Sequence, residues 1–213
     1  MLFTESCAGC SAPGETLCRR CRFALVSAPQ PHLAGCVRAA LPFDGVARQA
    51  ILGLKYRNRR RVAAVLAEAV VRRLALQRDH VDLVTWAPTG ATRAAGRGFD
   101  QSEILARAIA RQLGVPCRRL LYRCHGPAQT GRTRAERLGG PAFRGRAVVP
   151  APRVLLVDDV HTTGATLTAA LQALAAGGVA DVVPVAVAAA GTYVGEHVRH
   201  VTPDHPSGAR AAA

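Results

Sequence analysis

Apolar positions along the chain keep two rhythms. Ala47, Ile51 and Leu54 fall on one helical face. Val62, Val65, Leu66, Ala69, Val70 and Leu74 repeat at the i, i+3, i+4 spacing of an amphipathic helix. Ile104, Leu105, Ile109 and Leu113 signal a third helix, which follows the capping-box pattern Asp100-x-x-Glu103 and stops at Gly114. Leu167, Leu171 and Leu174 give a fourth, closed by Gly177 and Gly178. Between these stretches run short apolar blocks without helical spacing: Val81 to Ala87, ending at Pro88, then Val154 to Val157, then Val182 to Val187. Near-continuous apolar blocks suit strands buried on both faces. Strands alternating with helices predict an α/β fold, a mainly parallel sheet flanked by helices on both sides.

Three segments keep neither rhythm. Residues 1 to about 26 are rich in cysteine and too short to own a core, and Pro29 and Pro31 mark a connector after them. From Tyr122 to Val148 the chain carries Arg123, Arg132, Arg134, Arg137, Arg144 and Arg146, interleaved with Gly126, Gly131, Gly139 and Gly140. So long a structureless stretch inside a domain is either functional or a misread boundary, and its charge and glycines suit a lid closing over an anion. Past Pro203 the chain is rich in Pro, Gly and Ala and reads as a frayed tail.

The cysteines add a candidate metal site. Four of the seven form Cys7-x-x-Cys10 and Cys18-x-x-Cys21, separated by seven residues that include the turn formers Pro13 and Gly14. Two close pairs can each chelate from a tight turn, which gives the four thiolates of a closed, structural zinc site. Disulfides compete with this, but the odd cysteine count and the absence of an export signal argue against them. A redox Cys-x-x-Cys is a third option, although no strand pattern precedes Cys7. Cys36, Cys117 and Cys124 stand apart and read as ordinary thiols.

Composition narrows the partners. Over 213 residues, 49% are apolar, which is ample for a core and excludes wholesale disorder. No apolar run approaches the ~20 residues that cross a bilayer. The N-terminus lacks the basic start and apolar run of a secretory signal, so a soluble cytoplasmic protein is expected. The formal charge is +14, and 27 of the 28 basic residues are Arg, with Lys55 alone as Lys. Such a surplus attracts phosphorylated metabolites or single-stranded nucleic acid without choosing between them. A lone Lys among so many Arg hints at a place where a compact ammonium is needed, and one leftover surface Lys explains it equally well.

The most informative stretch is Arg153-Val-Leu-Leu-Val-Asp-Asp-Val-His-Thr-Thr-Gly-Ala-Thr166. A buried strand ends in two carboxylates, Asp158 and Asp159, and passes through Thr162, Thr163, Gly164, Ala165 and Thr166 into a helix. Backbone N–H groups at that helix start, with the Thr hydroxyls, form a phosphate cradle, and Gly164 lets the backbone approach the anion. Carboxylates just before the cradle would hold hydroxyls one sugar's width from the phosphate. That suits a 5-phosphorylated ribose. A capped strand-to-helix turn would need only one Thr, and a receiver domain places its acidic pair near its own start.

The stretch resembles the phosphoribosyl pyrophosphate (PRPP) motif of type I phosphoribosyltransferases. Leu54-Lys55-Tyr56, Arg97-Gly-Phe-Asp-Gln-Ser102, Gln129-Thr-Gly-Arg-Thr-Arg-Ala-Glu-Arg137 and the N-terminal Cys pairs narrow the resemblance to the ComF family of competence-associated proteins. The family usually has Asn where Asp100 stands, Leu where Arg132 stands and Asn near Gly139 or Gly140. An Asp100 pointing inward would repel pyrophosphate, whereas one capping the helix would not.

The resemblance implies a type I phosphoribosyltransferase-like fold over residues 32–202, behind a zinc-ribbon-like module and connector over 1–31, with 203–213 as the tail. It implies Mg²⁺ bound with PRPP and structural Zn²⁺ at Cys7, Cys10, Cys18 and Cys21. Asp158 and Asp159 would hold the ribose, Thr162 to Thr166 the 5-phosphate, and Arg93 or Arg97 the pyrophosphate. Gln129, Arg134 and Arg137 would belong to the lid. His161 reads as a bystander. The implied reaction moves phosphoribose from PRPP to an unidentified nitrogen acceptor. The alternatives are a PRPP sensor with little or no turnover, or a competence-associated module that handles single-stranded DNA or docks an uptake protein. Nine aromatics in the whole chain count against a dedicated strand binder. The sequence leaves the oligomeric state open.

Overall fold

The computed structural model describes residues 5–33, 35–90, 96, 98–124, 141–148 and 152–191. Four parallel strands, β1 (Arg38–Pro42), β2 (Leu83–Trp86), β5 (Val154–His161) and β6 (Val182–Ala189), form one sheet in the order β1-β6-β5-β2. Two short strands, β3 (Leu121–Arg123) and β4 (Phe143–Gly145), pair antiparallel beside it.

The near-continuous apolar character of the strands follows from burial on both faces. Leu155 and Val157 of β5 join Val84 and Trp86 of β2 in the core on one face. Their neighbours Val154, Leu156 and Leu83 join the core on the other. The first face is covered by α2 (Gly45–Tyr56), α3 (Val62–Arg73) and α4 (Gln101–Leu113), the second by α5 (Ala165–Ala176) with β3 and β4. Pro184 is tolerated in a central strand because β1 pairs with β6 only from Val185 onward. The fold is thus the expected α/β arrangement, a parallel sheet between helices, with an N-terminal cysteine cluster beside it.

That cluster lies against the main core. α1 (Arg19–Ser27) buries Cys21 and Leu25, and Cys7, Ala8 and Leu17 share the same apolar cluster as Ile51 and Leu66. Arg73 of α3 fastens the end of α1 by donating to the carbonyls of Val26 and Ala28, both at 2.6 Å, and to Ala40 of β1 at 2.6 Å. Arg59, in the turn after α2, donates to the Cys7 carbonyl at 2.8 Å and to Ser6 Oγ at 2.9 Å.

Four elements carry no clear sequence signal. α1 has no acid in its first turn and no basic residue in its last, β1 is a run of small residues ending at Pro42, and β3 and β4 are three residues each. The last two lie at the two ends of the Arg-rich segment that keeps neither period; its centre, residues 125–140, lies outside the described residues, as does the 203–213 tail. Among the described residues no helix is long and apolar enough to cross a membrane.

Candidate active site

The sequence places the paired acids at a strand end, but β5 runs on through them to His161. The reason is that β6 keeps pairing with it: Asp158 faces Ala186, Val160 faces Ala188 and His161 faces Ala189. On the other side β2 stops at Trp86, opposite Val157, and Pro88 turns the chain away. Beyond Val157, β5 therefore has a neighbour on one edge only. The open edge is where the cavity forms.

This cavity has a volume of about 420 Å³. The two acids, Thr162 and Thr166 line it from β5 and the turn into α5. Pro88, Thr89 and Gly90 line it from the segment after β2, Lys55 and Tyr56 from the end of α2, and Gln101 and Arg123 from α4 and β3. Ligand crevices at the carboxyl ends of parallel strands are the general rule for open α/β sheets.

Both acids are buried, with 8% of Asp158 and 7% of Asp159 exposed. Asp158 Oδ1 accepts the Asp159 backbone N–H at 2.8 Å and the Ser102 hydroxyl at 3.4 Å. Asp159 Oδ2 lies 3.0 Å from the Lys55 ammonium. Burial, then the adjacent Asp159 charge, push the Asp158 carboxyl up to about 7, against the opposing pull of the Asp159 N–H, Lys55 and Ser102.

The turn into α5 has the build of an anion cradle. Gly164 adopts φ +79° at the helix start and offers no side chain as a cap. Ala165 N–H reaches Thr163 Oγ1 only at 3.5 Å. Thr162, Gly164, Ala165 and Thr166 line a small hollow that adjoins the main cavity, together with Asp158 and His161. His161 is closer to this turn than the sequence suggests. Its Nε2 lies 2.9 Å from where a Cβ at position 164 would stand, and its buried Nδ1 has no hydrogen-bond partner among the described residues.

Asp100 lies off the cavity lining. Its Oδ1 caps α4 by accepting the N–H groups of Ser102 at 3.0 Å and Glu103 at 3.4 Å. Its carboxylate also holds Thr89, through the backbone N–H at 2.9 Å and the hydroxyl at 3.2 Å. The carboxylate is therefore spent on anchoring the segment after β2 to the start of α4. Arg153, at the head of the motif, is tied to Asp82 at 2.8 Å and latches the starts of β2 and β5. Arg93, Arg97, Gln129, Arg132, Arg134, Arg137, Gly139 and Gly140 lie outside the described residues.

Sequence patterns do not single out Ser102, Gln101 or Arg123. Ser102 and Gln101 stand inside the Arg97–Ser102 block, the one signal that leads to them, and Arg123 is masked by the surrounding arginines.

In the N-terminal segment, the four sulfurs of Cys7, Cys10, Cys18 and Cys21 lie within 4.8 Å of one another. Cys7 Sγ accepts the N–H groups of Gly9 and Cys18, each at 3.4 Å, and a Cβ at Gly9 would stand 2.7 Å from Cys21 Sγ. Burial raises the Cys7 thiol, but backbone N–H groups from Cys10, Cys18 and Gly9 outweigh it and bring it down to about 6. Burial pushes the Cys21 thiol well up.

Residues 100–203 match the phosphoribosyl transferase domain. Over 97 residues the chain is 36% identical to the competence protein ComFC of Streptococcus pneumoniae, covering 45% of this chain and 42% of that one. Over 139 residues it is 30% identical to the DNA utilization protein YhgH of Salmonella typhi, covering 61% of each. The chain thus spans only about half the length of these curated relatives. Among solved structures, adenine phosphoribosyl transferase from Trypanosoma brucei, in complex with AMP, pyrophosphate and ribose-5-phosphate, matches with a TM-score of 0.41 at 16% identity, covering 73% of this chain and 77% of that one. The domain match lies across the acid pair and the turn into α5, and with these two relatives it supports a ComF-family phosphoribosyltransferase-like protein.

Proposed function

We propose that the chain binds Mg·PRPP and transfers its phosphoribosyl group to a nitrogen acceptor, releasing pyrophosphate. The observation that carries this is the side-by-side pair Asp158 and Asp159 in the same cavity as the Thr162–Thr166 turn. The acids bind the ribose hydroxyls, the turn binds the 5-phosphate, and the amides after β2, with Arg93 or Arg97, receive the pyrophosphate. Gln129, Arg134 and Arg137 belong to a lid that excludes water. In the reaction a bond forms between C1 of the ribose and the acceptor nitrogen. The bond from C1 to the pyrophosphate oxygen breaks with its electron pair, and the nitrogen's proton passes to solvent. Positive charge develops on the ribose ring and negative charge on the leaving group, so catalysis is mostly placement of fixed charges.

Mg²⁺ suits this site because its donors are hard oxygens and a cation, Lys55, already lies on one of them. When bound, it neutralises the phosphates, and Asp158 and Asp159 are the residues that would hold it. At the cysteine cluster, four sulfurs within 4.8 Å and N–H groups aimed at Cys7 Sγ support a tetrahedral Zn²⁺. Residues 1–31 then form a zinc module and residues 32–202 the transferase-like domain. Screening PRPP against purine and pyrimidine bases and simple amines, with pyrophosphate release as readout, tests the reading. Release with at least one acceptor, lost in D158N/D159N, is expected. Release with none would leave PRPP sensing as the surviving form.

A second reading, binding of single-stranded nucleic acid, is favoured by one feature. Arg57, Asn58, Arg59, Arg60 and Arg61 line a groove of about 670 Å³ beside the cysteine cluster, and the Arg60 guanidinium stacks over Phe99 at 4.4 Å. The relatives named for competence and DNA utilization give it a setting.

A further inference from the structure

We infer that Lys55 is a handover cation: its ammonium neutralises Asp159 while the cavity is empty, and moves to the pyrophosphate when Mg²⁺ and ribose take over the acid pair. This rests on the phosphoribosyl reading and adds to it a residue with two positions and two partners.

The pair is enclosed. Lys55 Nζ lies 3.0 Å from Asp159 Oδ2, with 16% of the Lys55 side chain and 10% of the Asp159 side chain exposed. Two adjacent carboxylates in β5 repel each other, and Ser102 and the Asp159 N–H serve only Asp158. Among the described residues, Asp159 relies on Lys55. In so dry a place, removing one partner leaves an uncompensated charge, so the ammonium leaves only when another cation replaces it. Mg²⁺ brings that replacement.

The displaced ammonium then has an anion within its own cavity. Lys55 shares the cavity with Thr89 and Gly90, the segment assigned to pyrophosphate. It stands in the last turn of α2, an element fixed by Ala47, Ala50, Ile51 and Leu54 in the core, so its flexible four-carbon stem can swing without the backbone. The other cationic side chain among the described cavity-lining residues, Arg123, is held over Phe143 at 5.7 Å and reaches the Pro88 carbonyl at 3.4 Å. A guanidinium is a planar fork suited to a fixed bidentate partner, whereas an ammonium is a point charge that exchanges one oxygen for another. That is a reason for one Lys to stand in a chain with 27 Arg.

The test is calorimetric titration of the full chain with MgCl2 alone and, separately, with sodium pyrophosphate in saturating MgCl2. In Lys55→Met, pyrophosphate binding should weaken by about tenfold or more, the scale of a charge-assisted hydrogen bond. Mg²⁺ binding should tighten, because its competitor at Asp159 is gone. Asp159→Asn should do the reverse, weakening Mg²⁺ and leaving pyrophosphate binding equal or tighter, and it keeps the question decidable if the Met variant does not fold. Opposite shifts for the two ligands are the signature, because a structural lysine would weaken both or neither. Shifts in the same direction, or none, in a protein that still binds Mg·PRPP overturn the handover and leave the transferase reading standing. A native chain that does not bind Mg·PRPP removes both.

Discussion

Gly164 is where backbone and side-chain constraints meet. Its φ of +79° lies in the left-handed region, and the His161 ring occupies the space a Cβ would need, with Nε2 at 2.9 Å. Gly164→Ala should therefore destabilise the chain by about 2–3 kcal/mol, a melting temperature lower by roughly 5–10 °C. It should also weaken binding of ribose 5-phosphate. Adding His161→Ala should recover part of the melting temperature, since it removes the collision and leaves the backbone strain. An unchanged melting curve in the single variant would show that the turn adopts another shape. At this scale the sequence is most readable where chemistry is contiguous: Asp158, Asp159 and Thr162 to Thr166 stand within nine residues of one another. It is least readable where partners come from distant segments. Nothing in the spacing ties Lys55 to Asp159 or Ser102 to Asp158, because those contacts exist only once α2 and α4 are laid against β5. Asp100 shows the same limit, for its dual hold on Thr89 and α4 depends on where the segment after β2 lies.

Among the elements, α2, α3, α4 and α5 are visible as helical periodicity because each buries one face, and β2, β5 and β6 as apolar blocks because they are buried on both. β1, β3, β4 and α1 are not, because they are short or lean on a neighbour. α1 in particular is fastened by Arg73 and by the cysteine cluster rather than by its own pattern. The cysteine segment also contributes Cys7, Leu17, Cys21 and Leu25 to the main core, so losing a Zn²⁺ bound there should loosen more than the module. Purified protein should carry about one zinc per chain, and stripping it with a chelator should lower the melting temperature by roughly 10 °C or more, given how much folding energy structural zinc supplies. Metal-free protein that melts at the same temperature would mean that the sulfurs are held by packing alone.

For the molecule as a whole, the acid pair trades stability for binding. The Asp158 carboxyl is raised by burial and by Asp159 from an ordinary 3.8 to about 7. The folded state thus holds a proton that the unfolded state releases, so this contribution is complete below about pH 4 and is lost as pH rises through about 7. Without added Mg²⁺, Asp158→Asn should melt increasingly above the native chain as pH goes from 5 to 8, with a ceiling on the order of 4 kcal/mol. Parallel melting curves for the two proteins across that range would place the proton elsewhere. The +14 charge adds a long-range attraction for anions that weakens with salt, whereas binding inside the cavity should survive physiological salt.

The most direct measurement of the central claim is the melting temperature of the full chain with and without PRPP and Mg²⁺ at physiological ionic strength. A ligand at about a hundred times its dissociation constant adds ~2.7 kcal/mol to the folded state, so a rise of roughly 5–10 °C is expected, and D158N/D159N should lose most of it. No rise in the native chain at millimolar PRPP, or an equal rise in the double variant, would contradict the account.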